Sequence, residues 1–108
     1  MEKYDVVVDD DAGEDLFEIY RCVALNDSVA QGDRLVSALT RLCESLRSLT
    51  LRGHVPPELQ STGVSEFREV RYKPYRVFYS IEGRTVFIHC VLDGRRDMQT
   101  LLQERLIR

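Results

Sequence analysis

Apolar positions along this chain change spacing as it runs, and each change marks an element. "YDVVV" is a short apolar run stopped by Asp9, Asp10 and Asp11. It predicts a strand over 4–8 and a helix N-cap directly after it. Over 12–24, Leu16, Ile19, Tyr20 and Val23 recur at helical spacing, and Glu14 and Asp15 suit the positive end of a helix dipole. "LNDS" breaks that helix and places Ser28 to cap the next. In 29–49, Leu35, Leu39, Leu42, Leu46 and Leu49 step by four, three, four and three, one apolar stripe against a polar face. Two helices so closely joined pack as an antiparallel hairpin. A coiled-coil dimer is the rival use of the stripe, which is too short to need one.

"LRGHVPPELQSTG" reads as loop, since Pro56 and Pro57 stop a helix from running through them. The spacing then falls to two. Strands are predicted over 66–73, 75–81 and 85–92, with Pro74 at the first connection and Glu82-Gly83 at the second. Asp97 is placed to cap a last helix over 98–106, with Met98, Leu101, Leu102 and Leu106 on one side. The order β-α-α-β-β-β-α predicts an α+β two-layer domain over 1–108. Its sheet is antiparallel, and the N-terminal helical hairpin covers one sheet face.

Cations interrupt this pattern. "FREVRYKPYRVFYS" carries Arg68, Arg71, Lys73 and Arg76 through what reads as the middle of the sheet. Alternation puts Arg68, Val70 and Tyr72 on one face and Phe67, Glu69 and Arg71 on the other. Tyr75, Val77, Tyr79 and Ile81 form the face toward the helices, so Arg76 is expected to project from an uncovered face. Arg95 and Arg96 leave the end of the last strand and are expected nearby. Strand register decides whether Arg68 or Arg71 joins them. Two roles compete. Arginines on an open sheet face pair with acids, here Glu66, Glu69 or Asp97, and keep the face soluble. Arginines converging on one face make an anion site, because guanidinium suits bidentate contact with phosphate or carboxylate.

Composition narrows the options. Apolar residues at 44% and charged residues at 31% place the chain of 108 residues with folded globular proteins rather than disordered tails. No apolar run has a membrane span's length, and the N-terminus lacks a signal peptide's basic and apolar pattern, so a cytoplasmic protein is expected. The net charge of −3 is uneven. Residues 1–63 hold six Lys/Arg against twelve Asp/Glu, and 64–108 hold nine against six. The acidic half argues against general nucleic-acid affinity, while the basic half leaves room for a local cationic site. Cys22, Cys43 and Cys90 form no metal pattern and read as three small core residues in a reducing compartment. No glycine-rich phosphate loop or Cys/His cluster is present, so no cofactor and no metal are expected. His89 alternates onto a face with Phe87 and Val91, as a partly buried structural residue, and His54 lies in the loop before the sheet.

In combination, the element order, "FREVRYKPYRVFYSIEG" and "VFIHCVLDGRRDMQTLL" resemble the RelE/ParE-family toxins, the poison half of a bacterial type II toxin–antitoxin pair of the plasmid-stabilisation kind. The resemblance spans nearly the whole chain. It implies a growth-inhibitory protein neutralised by a cognate antitoxin in a hetero-oligomer. RelE-type members cut mRNA in the ribosomal A site, and ParE-type members poison DNA gyrase without nuclease activity.

For the ribonuclease type, the resemblance makes Arg76, Arg96 and Arg68 the candidate catalytic cations. Such enzymes also carry a catalytic Tyr in the final helix, at or near Leu102. No Tyr follows Tyr79 here. His54 would be the first substitute base. Arg71, Lys73, Arg95 and His54 remain as candidates for contact with a target or antitoxin. If Arg76 and Arg96 are free, acidic antitoxin side chains would neutralise them. The missing Tyr and the overall acidity favour the gyrase-directed type. A ribosome-dependent endoribonuclease, or an inactive member that only binds antitoxin, is the alternative.

Overall fold

The computed structural model describes residues 3–107. Its elements are β1 (Asp5–Val8), α1 (Asp10–Asn26), α2 (Val29–Ser45), α3 (Pro57–Gln60), β2 (Phe67–Tyr72), β3 (Tyr75–Glu82), β4 (Thr85–Asp93) and α4 (Met98–Arg105). The sheet order is β1-β4-β3-β2. β2, β3 and β4 form the expected antiparallel meander, whereas β1 lies parallel to β4. The sheet is therefore mixed, which a crossover through the helical hairpin permits.

The hairpin covers one face. Leu39, Cys43 and Leu46 of the α2 stripe meet Val70, Val77, Tyr79, Val86, Ile88 and Val91, with Leu16, Ile19, Leu35 and Leu42 at the margin. Ser28 caps α2 by accepting from the Gln31 amide at 3.1 Å. The α2 helix stops at Ser45, so Leu49 leaves the predicted stripe and is 55% exposed.

The opposite face is covered too, and this corrects the sequence expectation. Leu59 of α3 and Met98 and Leu102 of α4 pack on Phe67, Phe78, Cys90 and Leu92. The predicted loop thus holds one helical turn, with Pro57 at its first position, where the missing amide hydrogen costs nothing. One residue of β4 is out of step. Phe78 pairs with Cys90 and Tyr79 with Ile88, which leaves His89 as a bulge. The extra residue flips the alternation beyond it, so Val91 joins the hairpin face rather than sharing a face with His89. Cys43 and Cys90 are buried, and burial pushes the Cys90 thiol up to about 12, but Cys22 is exposed and is not a core residue. No helix among the described residues is long and apolar enough to cross a membrane.

Candidate functional site

The strand register settles which cations meet. Arg71 stands directly opposite Arg76, and Arg68 opposite Tyr79. Arg71 and Arg76 therefore share the face away from the hairpin. Two cations facing each other across a ladder repel, so this pair needs anions between them. Glu69, on the same face of β2, supplies one. Its fully buried carboxylate accepts from Arg71 Nε at Oε1 and from Arg76 Nε, at 3.1 Å, and Nη2 at Oε2. His54 Nε2 lies 3.3 Å from the same Oε1. Glu58 of α3 supplies the other anion and accepts from Arg76 Nη1 and Nη2 at 2.9 and 2.8 Å.

Arg76 is consequently buried, at 6% exposure, with its guanidinium against the Phe78 ring and gripped by two carboxylates. It does not project from an open face. The Glu58 hydrogen bonds raise the Arg76 pKa despite desolvation, and the Arg76 hydrogen bond holds the Glu58 carboxyl below its ordinary value. Two glycines let the surrounding backbone close on this network. A Cβ on Gly53 would stand 2.5 Å from the Glu69 carbonyl oxygen and 2.6 Å from the Tyr79 hydroxyl, and one on Gly94 would stand 2.8 Å from Arg76 Cδ. The Gly53 amide donates to the Tyr79 hydroxyl at 3.0 Å, which itself donates to the Thr50 carbonyl at 2.8 Å. His54 pairs with Glu69 through both backbone groups, so the segment before α3 runs along the outer side of β2.

The remaining candidates lie elsewhere. Arg68 lies on the hairpin side of the sheet and donates to the Gly53 carbonyl at 2.7 Å, so the sheet separates it from Arg76. Arg95 is exposed and forks onto Asp93, its neighbour two residues back. Lys73 is exposed in the β2–β3 turn beside a groove that Arg34 and Tyr75 also line. Arg96 is exposed and borders a groove with Cys22, Glu18 and Tyr75 on the α1 side. Arg76, Arg96 and Arg68 therefore do not converge. Among the acids expected to answer the arginines, only Glu69 does. Asp97 instead caps α4 through the Thr100 amide, and Glu66 is exposed.

Two further clusters join distant elements. Asp15 of α1 accepts from the Val91 amide at 3.0 Å and from both terminal nitrogens of Arg105, so the end of α4, which packs on the far face, is tied to α1 of the hairpin. Asp9 occupies the N-cap position of α1 but makes no capping bond. Its carboxylate meets His89 Nδ1 at 2.9 Å, while His89 Nε2 meets Ser80 Oγ at 2.6 Å. The sequence held only one local sign of Glu58, the Pro-Pro-Glu-Leu run that forms α3.

Position 102, where the resemblance places the ribonuclease Tyr, holds a leucine that is fully buried in the far-face cluster. The sequence model of the "ParE toxin of type II toxin-antitoxin system, parDE" matches residues 6–98. The chain belongs to the ParE toxin family. It is the toxin of a type II toxin–antitoxin system, within the wider RelE/ParE superfamily. Two solved structures share its fold. The chromosomal ParDE system of P. aeruginosa aligns at TM-score 0.69 and 15% identity, over 82% of this chain and 94% of that one. The RelBE2 toxin–antitoxin complex of Mycobacterium tuberculosis aligns at TM-score 0.65 and 22% identity, over 86% and 93%. No curated protein sequence matches the chain. The ParE fold class is thus the one its element order predicts, carrying a second buried face.

Proposed function

We propose that this ParE-family chain stops bacterial growth by binding and poisoning DNA gyrase in the cytoplasm, and that a cognate antitoxin neutralises it in a hetero-oligomer. The observation that carries the reading is the burial of Arg76 between Glu58 and Glu69. A ribonuclease needs that cation to hold a scissile phosphate, and a phosphate entering here would have to displace two carboxylates. Position 102 offers no proton-transfer group either. The toxin–antitoxin assemblies named for both structural relatives support an antitoxin partner. Arg96 and Lys73, exposed and outside the buried network, are candidate cations for contact with the target.

The test is a DNA-supercoiling and cleavage assay with purified gyrase, plasmid and this chain, run beside a translation reaction with ribosomes and mRNA. The expected result is accumulation of cleaved plasmid with intact mRNA. Cut mRNA with unaffected gyrase would establish the ribosome-dependent reading, and inertness in both with growth unaffected would leave only antitoxin binding.

A further inference from the structure

A groove of about 320 Å³ lies where the helical hairpin meets the β2–β3 turn. That volume is at the small end for ligand sites. Tyr72, Tyr75 and Leu35 give it aromatic and apolar walls, and Tyr72 is 45% exposed. Asp27, Arg34 and Lys73 line it too. Among the described residues none of these three side chains makes an ion pair. Elsewhere exposed opposite charges close on each other, as in Arg21–Glu18, Arg47–Glu44 and Arg95–Asp93. In this groove they stay apart. Asp27 sits in the hairpin turn, and Arg34 lies more than a helical turn along α2. The complementary ligand has a flat ring, N–H donors at one end and an anion at the other. Tyrosines stack flat bases, and Arg and Lys take phosphate. A carboxylate accepts N–H donors in pairs. Guanine carries N1–H and the N2 amino group side by side on one edge, whereas adenine has only its amino group there.

We propose that this groove binds a guanine nucleoside monophosphate. The base lies against Tyr72 and Tyr75 and donates from N1–H and the N2 amino group to Asp27. Arg34 and Lys73 hold the phosphate. The small volume argues for one phosphate rather than a chain of them. The two ends divide the work: the cations supply affinity for any phosphate ester, and Asp27 selects the base. The site goes beyond the gyrase and antitoxin readings and shares only Lys73 with the former.

The test is calorimetry of the full chain with guanosine monophosphate, guanosine, adenosine monophosphate and inorganic phosphate, repeated for Asp27→Ala and Arg34→Ala. Both positions are exposed, so thermal melting without ligand should be unchanged and serves as the folding control. Guanosine monophosphate should bind the wild type, with guanosine and adenosine monophosphate each weaker by about tenfold, the worth of one hydrogen-bonded contact to a charged group. Arg34→Ala should weaken guanosine monophosphate by about tenfold and leave guanosine unchanged. Asp27→Ala should erase the preference for guanosine monophosphate over adenosine monophosphate. No heat and no rise in melting temperature with guanosine monophosphate in the millimolar range would overturn the proposal. Binding that both variants leave unchanged would overturn it as well. Equal affinity for both nucleotides and for inorganic phosphate would reduce the groove to an anion site and overturn the guanine assignment.

Discussion

The two faces of the sheet are built from different materials. On the hairpin face, regular elements supply an apolar surface: α2 contributes Leu39, Cys43 and Leu46, and β3 answers with Val77 and Tyr79. On the far face, the helical turn of α3, the short helix α4 and four strand side chains, Phe67, Phe78, Cys90 and Leu92, assemble a smaller apolar cluster. Beside it, the space is filled by Arg76, Glu69 and Glu58. The first face tolerates local error, because any apolar group of similar volume restores most of its burial. The second depends on charge balance, since removing one member strands another in a low-dielectric site. The cations threaded through β2 and β3 thus have different explanations. Arg76 belongs to the interior, Arg71 flanks it through the shared Glu69 carboxylate, Arg68 ties the Gly53 segment to β2, and Lys73 remains outside.

The sharpest break in that comparison is Arg76→Ala. It leaves Glu69 buried without its main partner, and urea unfolding should show a loss of about 3–5 kcal/mol. On the hairpin face, Leu39→Ala should cost about 2–5 kcal/mol through lost burial and the cavity left behind. The two differ in rescue. Leu39→Met should recover most of the loss, whereas Arg76→Lys should not, because an ammonium cannot fork onto Glu58 while reaching Glu69. Gly53→Ala should destabilise by about 1–3 kcal/mol, since its Cβ meets backbone and the Tyr79 hydroxyl rather than a flexible side chain.

How far these faces were legible follows from their construction. The hairpin, the meander and the Ser28 and Asp97 caps are local patterns of period, turn residue and cap, and they stand within a few residues of where those signals put them. Three features had no local signal. The parallel seat of β1 beside β4 pairs residues about eighty positions apart. The bulge at His89 is one residue in a continuous β-prone run. The cover of the far face comes from a Pro-rich segment whose single buried leucine, Leu59, is too little for a periodic pattern. Missing that cover made Arg76 look exposed. Its alternation was right, but the face it pointed to was not open.

A smaller effect separates the faces by pH. The folded-state pKa of Glu58 is depressed below its ordinary value of 4.5, chiefly by the Arg76 hydrogen bond. A group depressed in the folded state contributes stability above its unfolded pKa and loses it as pH falls through the folded value. Stability from this contact should therefore be constant above about pH 5 and decline below it. Glu58→Gln should flatten that part of the acid limb in urea midpoints measured from pH 3 to 7, and Leu39→Ala should leave its shape unchanged. The smallest stability effect is expected at Arg96→Ala. Arg96 is exposed, so the loss should stay within about 0.5 kcal/mol. If Arg96 meets the target, the variant should still relieve growth arrest.

The most direct test of the central claim, that Arg76 is a structural and not a working cation, is growth arrest by the triple variant Glu58→Leu/Glu69→Leu/Arg76→Met. Replacing a buried ion cluster with apolar residues of similar size preserves folding in favourable cases, and Arg71 and His54 are exposed enough to be solvated. With the fold verified by circular dichroism and urea unfolding, the triple variant should arrest growth as the wild type does. A folded triple variant that no longer arrests growth would contradict the claim and return Arg76 to the working surface.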